Sequence, residues 1–228
     1  MGKEEVLRKL FENTGFTNGR TIAPTEKGQW CTSHKIMLEG VDFDLVYNPL
    51  KHLGYKAASV NISDIYAMNG QPRQMTLSVA LSKRFSVEDL EGFYDGVMLA
   101  CRKHGVDLVG GDTTSSLTGL AISITCIGEA RKEDIVYRNG ARPNDLICVS
   151  GNLGAAYMGL QLLEREKAVF NSTKHDDGDP FSPDFSGKEY ILERQLKPEA
   201  RGDIIKELAE AGIKPTSMMD ISDGLSSE

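Results

Sequence analysis

The residues of this chain that invite chemistry are acids set beside small neighbours. They fall in three clusters: Asn61-Ile62-Ser63-Asp64, Gly110-Gly111-Asp112-Thr113 and Asp220-Ile221-Ser222-Asp223-Gly224. Each lies at the end or turn of an apolar segment, where no bulky side chain keeps a carboxylate from converging with others. Gathered oxygens suit Mg²⁺, which takes carboxylates, waters and phosphate oxygens. The chain has no G-x-x-x-x-G-K-[ST] loop and no strand-flanked G-x-G-x-x-G. A nucleotide would be met here by acids and metal, not by a lysine-bearing phosphate loop.

Blander readings compete at each cluster. Asn61 and Asp64 share a helical face with Ala57 and Met68, at spacings i, i+4, i+7 and i+11. That face is either solvated or packed, and the apolar flanks favour packing. Gly110-Gly111 is either a plain turn or a place where backbone approaches a ligand closely. Asp223 can cap a helix with Ser222, which leaves Asp220 unexplained. Ser150-Gly151-Asn152-Leu153-Gly154-Ala155-Ala156 ends a strand and opens a helix. It is an ordinary turn or a phosphate site at a helix N-terminus. The four histidines (His34, His52, His104, His175) show no ligand spacing. His104 falls in the basic end of a helix, where a cation suits the dipole.

The elements that must position these groups follow from periodicity. Helices are expected over residues 3–13, 49–69 and 86–104, the last with a capping box between Ser86 and Asp89. Residues 14–33 read as irregular, and 36–38 as a short strand. Strict alternation marks a half-buried strand over 74–81 and another over 120–127. Residues 106–109 read as a short buried strand ending at Gly110-Gly111-Asp112. Turn chemistry at 138–145 places a domain boundary after residue 137, giving units 1–137 and 138–228. Beyond it come strands at 146–149 and 217–220, and helices at 155–166, 188–195 and 199–211, with Gly212 as a C-cap. Residues 171–187 form a long polar loop. The chain stops at what reads as the first turn of a helix, so it is expected to be a piece of a longer parent.

With 228 residues the chain can bury a substantial core. A net charge of −7 argues against a nucleic-acid partner. Cys31, Cys101, Cys126 and Cys148 lack C-x-x-C spacing and read as buried, reduced thiols of a cytoplasmic protein. No signal peptide or run of membrane-spanning length is visible.

Taken together in order and interval, these motifs resemble the thiamine-monophosphate kinase family. The matching runs are Leu38-Glu39-Gly40-Val41-Asp42-Phe43, Lys56-Ala57 through Asn61-Ile62-Ser63-Asp64-Ile65-Tyr66-Ala67-Met68-Asn69-Gly70, Gly110-Gly111-Asp112-Thr113, Arg138-Asn139-Gly140-Ala141, the Ser150–Ala156 run and Asp220-Ile221-Ser222-Asp223-Gly224-Leu225. The resemblance implies transfer of the ATP γ-phosphoryl group to thiamine monophosphate, assisted by Mg²⁺. It implies an α/β (α+β) fold: an N-terminal four-stranded sheet domain with helices that dimerises into a barrel, then part of a C-terminal α/β domain. By resemblance, Asp64, Asp112, Asp220 and Asp223 would hold Mg²⁺. Gly111, Thr113, Arg138, Gly151, Gly154 and Ser222 would lie near ATP and its phosphates. Tyr47 or Tyr66 could line the site.

Three departures accompany the match. An N-terminal Gly-Asp-Asp-Ala motif is replaced by Gly19-Arg20-Thr21-Ile22-Ala23; the family's Thr-Asp before the Glu-Gly stretch reads Thr32-Ser33; and Asp42 stands for a His. The family's C-terminal third is missing. The rival reading is a catalytically impaired, dimerising or nucleotide-binding scaffold. A selenophosphate or aminoimidazole ribonucleotide synthetase would be a further relative, but Cys31 lacks the Gly-rich setting of a reactive cysteine.

Overall fold

The structure is a computed structural model that describes residues 20–24, 28–172 and 183–228, the first segment by its backbone alone. The helix expected over 3–13 and the centre of the loop expected over 171–187 lie outside the described residues.

Five strands form one sheet: β1 (Arg20–Pro24), β2 (Gln29–Leu38), β3 (Gln71–Leu81), β4 (Asp107–Ser115) and β5 (Leu120–Ala130). Their order is β1-β2-β5-β3-β4. All neighbours are antiparallel except β3 and β4, which run parallel. Four of these strands are those expected; β1 adds an edge, pairing Arg20 with Ser33 through Pro24 with Gln29. Residues 14–33 are thus not irregular throughout: β2 begins at Gln29, seven residues before the expected start. Its pairing with β5, from Gln29 opposite Ala130 to Leu38 opposite Ala121, extends it beyond its apolar centre.

Two helices cover one face of the sheet: α1 (Leu50–Tyr66) and α2 (Val87–His104). Alternation decides which side chains meet them. On β5, Leu120, Ile122, Ile124 and Cys126 are buried; on β3, Met75, Leu77 and Val79 join them. These pack with Leu53, Ile62 and Ile65 of α1 and Phe93 and Val97 of α2 into one core. The capping box of α2 forms as expected: Ser86 Oγ accepts from Asp89 N, and Asp89 accepts from Ser86 N. Gly105 closes the helix in the left-handed region, φ 65°.

After β5 come α3 (Ala155–Ser172), α4 (Glu189–Leu196) and α5 (Gly202–Glu210). The strands expected at 146–149 and 217–220 are absent and both segments are irregular, whereas the turn expected after Asp223 forms, with Ser227 N and Glu228 N donating to Gly224 O at 3.0 and 3.2 Å. Leu146 and Ile147 are almost fully exposed. A strand is stabilised by its neighbours, and neither segment pairs with one here. Cys148 shares this exposure, which corrects its expected burial; Cys31, Cys101 and Cys126 are buried. Burial raises the Cys31 and Cys101 thiols to about 11 and the Cys126 thiol to about 12, so none carries thiolate at neutral pH.

His104 differs from its expected role as a cation at a helix end. Its Nδ1 lies 3.2 Å from Tyr66 Oη, the two rings meeting edge to face. Its Nε2 is buried without a hydrogen-bond partner. Burial, followed by the Lys103 charge, holds its pKa below the ordinary 6.5. The unfolded chain therefore binds this proton more readily than the folded one. The stability is complete above the unfolded value of 6.5 and is lost as pH falls from there toward the lower folded value. The urea midpoint of the wild type is expected to fall between pH 7 and pH 5 by more than that of His104→Phe. Parallel profiles would show that His104 contributes nothing to the slope.

Candidate functional site

The three acid clusters lie on α1, on the edge strand β4 and in the C-terminal segment. Asp64 is buried on α1, facing β2. Its Oδ2 accepts a 2.6 Å hydrogen bond from Ser33 Oγ and lies 3.3 Å from Lys35 Nζ. Asn61, also buried, donates from Nδ2 to Ala57 O at 3.0 Å. The face carrying Ala57, Asn61, Asp64 and Met68 is thus the packed one; Asp64 finds its partners on β2 and the Asn61 amide donates within its own helix, as burial requires. The carboxylate expected to meet a metal is met here by an ammonium and a hydroxyl.

Asp112 lies on β4, at the far side of β5 and β3 from the strand that Asp64 contacts. Three strand spacings separate β2 from β4, about 14 Å. The strand expected to end at Val109 continues through Gly110-Gly111-Asp112-Thr113 to Ser115, and it is an exposed edge, not a buried element. Parallel pairing with β3 carries it on, setting Gly111 opposite Leu77, Asp112 opposite Ser78 and Thr113 opposite Val79. A Cβ on Gly111 would stand 1.7 Å from Leu77 O. The second glycine is needed by the neighbouring strand's backbone. The Asp112 carboxylate accepts from Thr113 N at 2.8 Å.

The third cluster follows a segment pinned to the 137–145 loop. Ser217 Oγ donates to Tyr137 O and Arg138 O, and Thr216 Oγ1 to Asp145 Oδ2 at 2.6 Å. Arg138 is exposed and is brought beside residues 216–217. Ser222 N and Oγ and Asp223 N donate to Glu228 Oε1, at 3.1, 3.3 and 3.3 Å. Asp220 is half-buried and Asp223 exposed. Among the described residues no three His, Cys, Asp or Glu side chains gather as a group that could hold a metal ion.

The Gly151 turn gains partners that sequence reading missed. Gly151 has φ 86° and Gly154 φ 81°, conformations that favour glycine. A Cβ on Gly151 would lie 3.6 Å from Arg194 Nη2 and 3.7 Å from Arg201 Nη1. Two guanidinium groups, from the end of α4 and the approach to α5, therefore converge on the turn that opens α3. Asp203 binds Arg201 through both Nε and Nη2 and raises its pKa further. No local pattern could have revealed this, since 43 residues separate Gly151 from Arg194.

Tyr47 also has a pocket, of about 310 Å³, between the 40–48 loop and α3. Its hydroxyl donates to Glu164 Oε1 at 2.6 Å, and Lys167 bonds Asp44 at 2.6 Å. Burial and the Glu164 carboxylate push the Tyr47 phenol upward, so it stays protonated.

Comparison with known proteins gives this arrangement a family. Residues 18–130 match the model described as AIR synthase related protein, N-terminal domain. Thiamine-monophosphate kinase of Bacillus subtilis (strain 168) is 34% identical over 192 residues, covering 84% of this chain and 55% of the relative. The crystal structure of thiamine monophosphate kinase from Aquifex aeolicus superposes with a TM-score of 0.79 at 32% identity, over 99% of this chain and 68% of that one. This chain belongs to the thiamine-monophosphate kinase family. A second solved structure, AaThiL complexed with AMPPCP and TMP, has a TM-score of 0.80 at 31% identity, over 98% of this chain and 66% of that one. The chain thus spans 55–68% of these thiamine-monophosphate kinases. Its α/β architecture is the family's, as expected. Among the described residues no helix is long and apolar enough to cross a membrane.

Proposed function

We propose that the chain takes part in ATP-dependent phosphorylation of thiamine monophosphate to thiamine diphosphate. The observation that carries this reading is the superposition along nearly the whole chain on the relative complexed with AMPPCP and TMP. In the reaction a phosphate oxygen of thiamine monophosphate attacks the γ-phosphorus in line, and ADP leaves with the electrons of the broken P–O bond. A phosphate monoester is already ionised near pH 7, so no general base is required. Catalysis is then positioning and charge stabilisation.

Gly151 and Gly154 are proposed to admit the ATP phosphates, with Arg194 and Arg201 as counter-charges. Gly111, Thr113, Arg138 and Ser222 are proposed to line the nucleotide. Mg²⁺ is proposed to accompany ATP and to meet Asp112, Asp220 and Asp223. Mg²⁺ commonly binds through one or two carboxylates together with substrate phosphates and waters, so a preassembled acid cluster is not a requirement. Asp64 does not fit this role, because Lys35 and Ser33 already occupy its Oδ2.

The reading also divides the chain after residue 137 into a sheet unit and the start of a second α/β unit, in a cytoplasmic homodimer. The dimer is supported by the sheet face turned away from α1 and α2, where Trp30, Ile36 and Leu38 are exposed on β2. Burying such a face against a second copy would remove apolar surface from water. The Asp64 pairing favours the alternative of a nucleotide-binding scaffold without turnover.

Calorimetric titration with AMPPCP, with and without Mg²⁺, followed by an assay for thiamine diphosphate, separates these. Mg²⁺-dependent binding with product supports the kinase reading. Binding without product supports the scaffold. Absence of binding in both conditions rejects nucleotide handling by this chain.

A further inference from the structure

We propose that Lys35 is the resident cation of Asp64, so that in this chain Asp64 is a metal-independent structural acid. The inference rests on these side chains alone and stands whether or not the kinase reading does.

Parity places Lys35 on the covered face of β2, in step with Cys31, Ser33 and Met37, all buried. Its side chain is 27% exposed and that of Asp64 8%. Lys35 Nζ lies 3.3 Å from Asp64 Oδ2, the oxygen that Ser33 Oγ also meets, at 2.6 Å. Asn61 Oδ1 lies 3.2 Å from the same hydroxyl. A hydroxyl has one proton, and the shorter contact assigns it to the carboxylate. Among the described residues, Asp64 Oδ2 thus receives an ionic donor, Lys35, and a neutral one, Ser33.

A carboxylate this buried needs a counter-charge. A divalent ion would supply one, but on this oxygen it would sit at about 2 Å. It would then stand within a few ångström of the ammonium and be repelled by it in a partly desolvated setting. The ammonium and the ion are alternatives. The lysine is tethered to the neighbouring strand, so it is present at every metal concentration. Its contact ties α1 to β2 through charge as well as packing.

The test uses the full chain without nucleotide. Mn²⁺ is titrated calorimetrically into wild type and Asp64→Asn, and the proposal expects the same stoichiometry, with affinities within twofold. Loss of one bound Mn²⁺ in Asp64→Asn would overturn it. Lys35→Asp is expected to acquire a melting temperature that rises with Mg²⁺, while wild type does not respond. A wild type that responds and loses the response on Asp64→Asn also overturns it. Should a variant not fold, NMR of the wild-type lysine ammonium groups decides. The Lys35 signal is expected to be unmoved by Mg²⁺, and a saturable shift with loss of exchange protection would show that metal displaces it.

Discussion

Gly96→Ala is expected to destabilise the chain by about 3 kcal/mol or more, the upper range for overpacking a well-filled core. A Cβ at residue 96 would stand 1.9 Å from Lys51 O and 2.8 Å from Tyr55 N. These are backbone atoms of α1, so no side-chain rotation relieves the clash. The same contact recurs one turn away with the roles reversed: a Cβ at Gly54 would stand 2.0 Å from Phe93 O. The two helices thus touch backbone to backbone at reciprocal glycines. A methyl group at either point must push α1 and α2 apart and loosen Leu53, Tyr55, Phe93 and Val97, all buried at the crossing. Because one separation accommodates both methyl groups, Gly54→Ala/Gly96→Ala should cost clearly less than the sum of the single changes. Urea unfolding of the four proteins measures this. Single costs below about 1 kcal/mol, or strict additivity, would mean that the helices do not meet this closely.

That crossing shows what was legible in the sequence and what was not. Signals completed within one turn or one strand were readable. The Ser86–Asp89 capping box spans three residues, and the alternation of Met75, Leu77 and Val79 needs no partner to be recognised. That Ala57, Asn61, Asp64 and Met68 share a face was also visible from spacing, and the apolar flanks favoured packing it. What joins distant residues was hidden. The Gly-Gly pair looked like the end of a strand, yet β4 continues because β3 lies alongside it and only a glycine at 111 clears Leu77 O. The apolar runs at 146–149 and 217–220 had strand-like composition, but composition does not provide a neighbour to pair with. The Asp64 cluster was legible because its acid and small neighbours are local, whereas its partners Lys35 and Ser33 lie about thirty residues earlier. The resemblance supplied the family and an expected ligand set; the contacts of Asp64 come from packing.

Arg194→Met is expected to weaken AMPPCP binding roughly 10- to 100-fold, as loss of a charge-assisted hydrogen bond worth about 1.5–3 kcal/mol would do. The geometry behind this is the approach of Arg194 Nη2 and Arg201 Nη1 to Gly151, each under 4 Å from where a Cβ would stand. Two guanidinium groups so near one another repel, and a phosphate between them would relieve the repulsion while using the left-handed Gly151 turn for close access. Arg201 is held by Asp203 through two donors, Nε and Nη2, so part of its charge is already answered; Arg201→Met should therefore weaken binding less than Arg194→Met. Methionine keeps much of the aliphatic stem, and Arg194 is partly exposed at the end of α4, so melting temperature should change little in either variant. The ordering is the discriminating feature. Equal affinities for wild type and Arg194→Met, with both folded, would remove the Gly151 turn from the nucleotide site. A fall in binding that accompanies a fall in melting temperature would instead make Arg194 a packing residue between α4 and the turn.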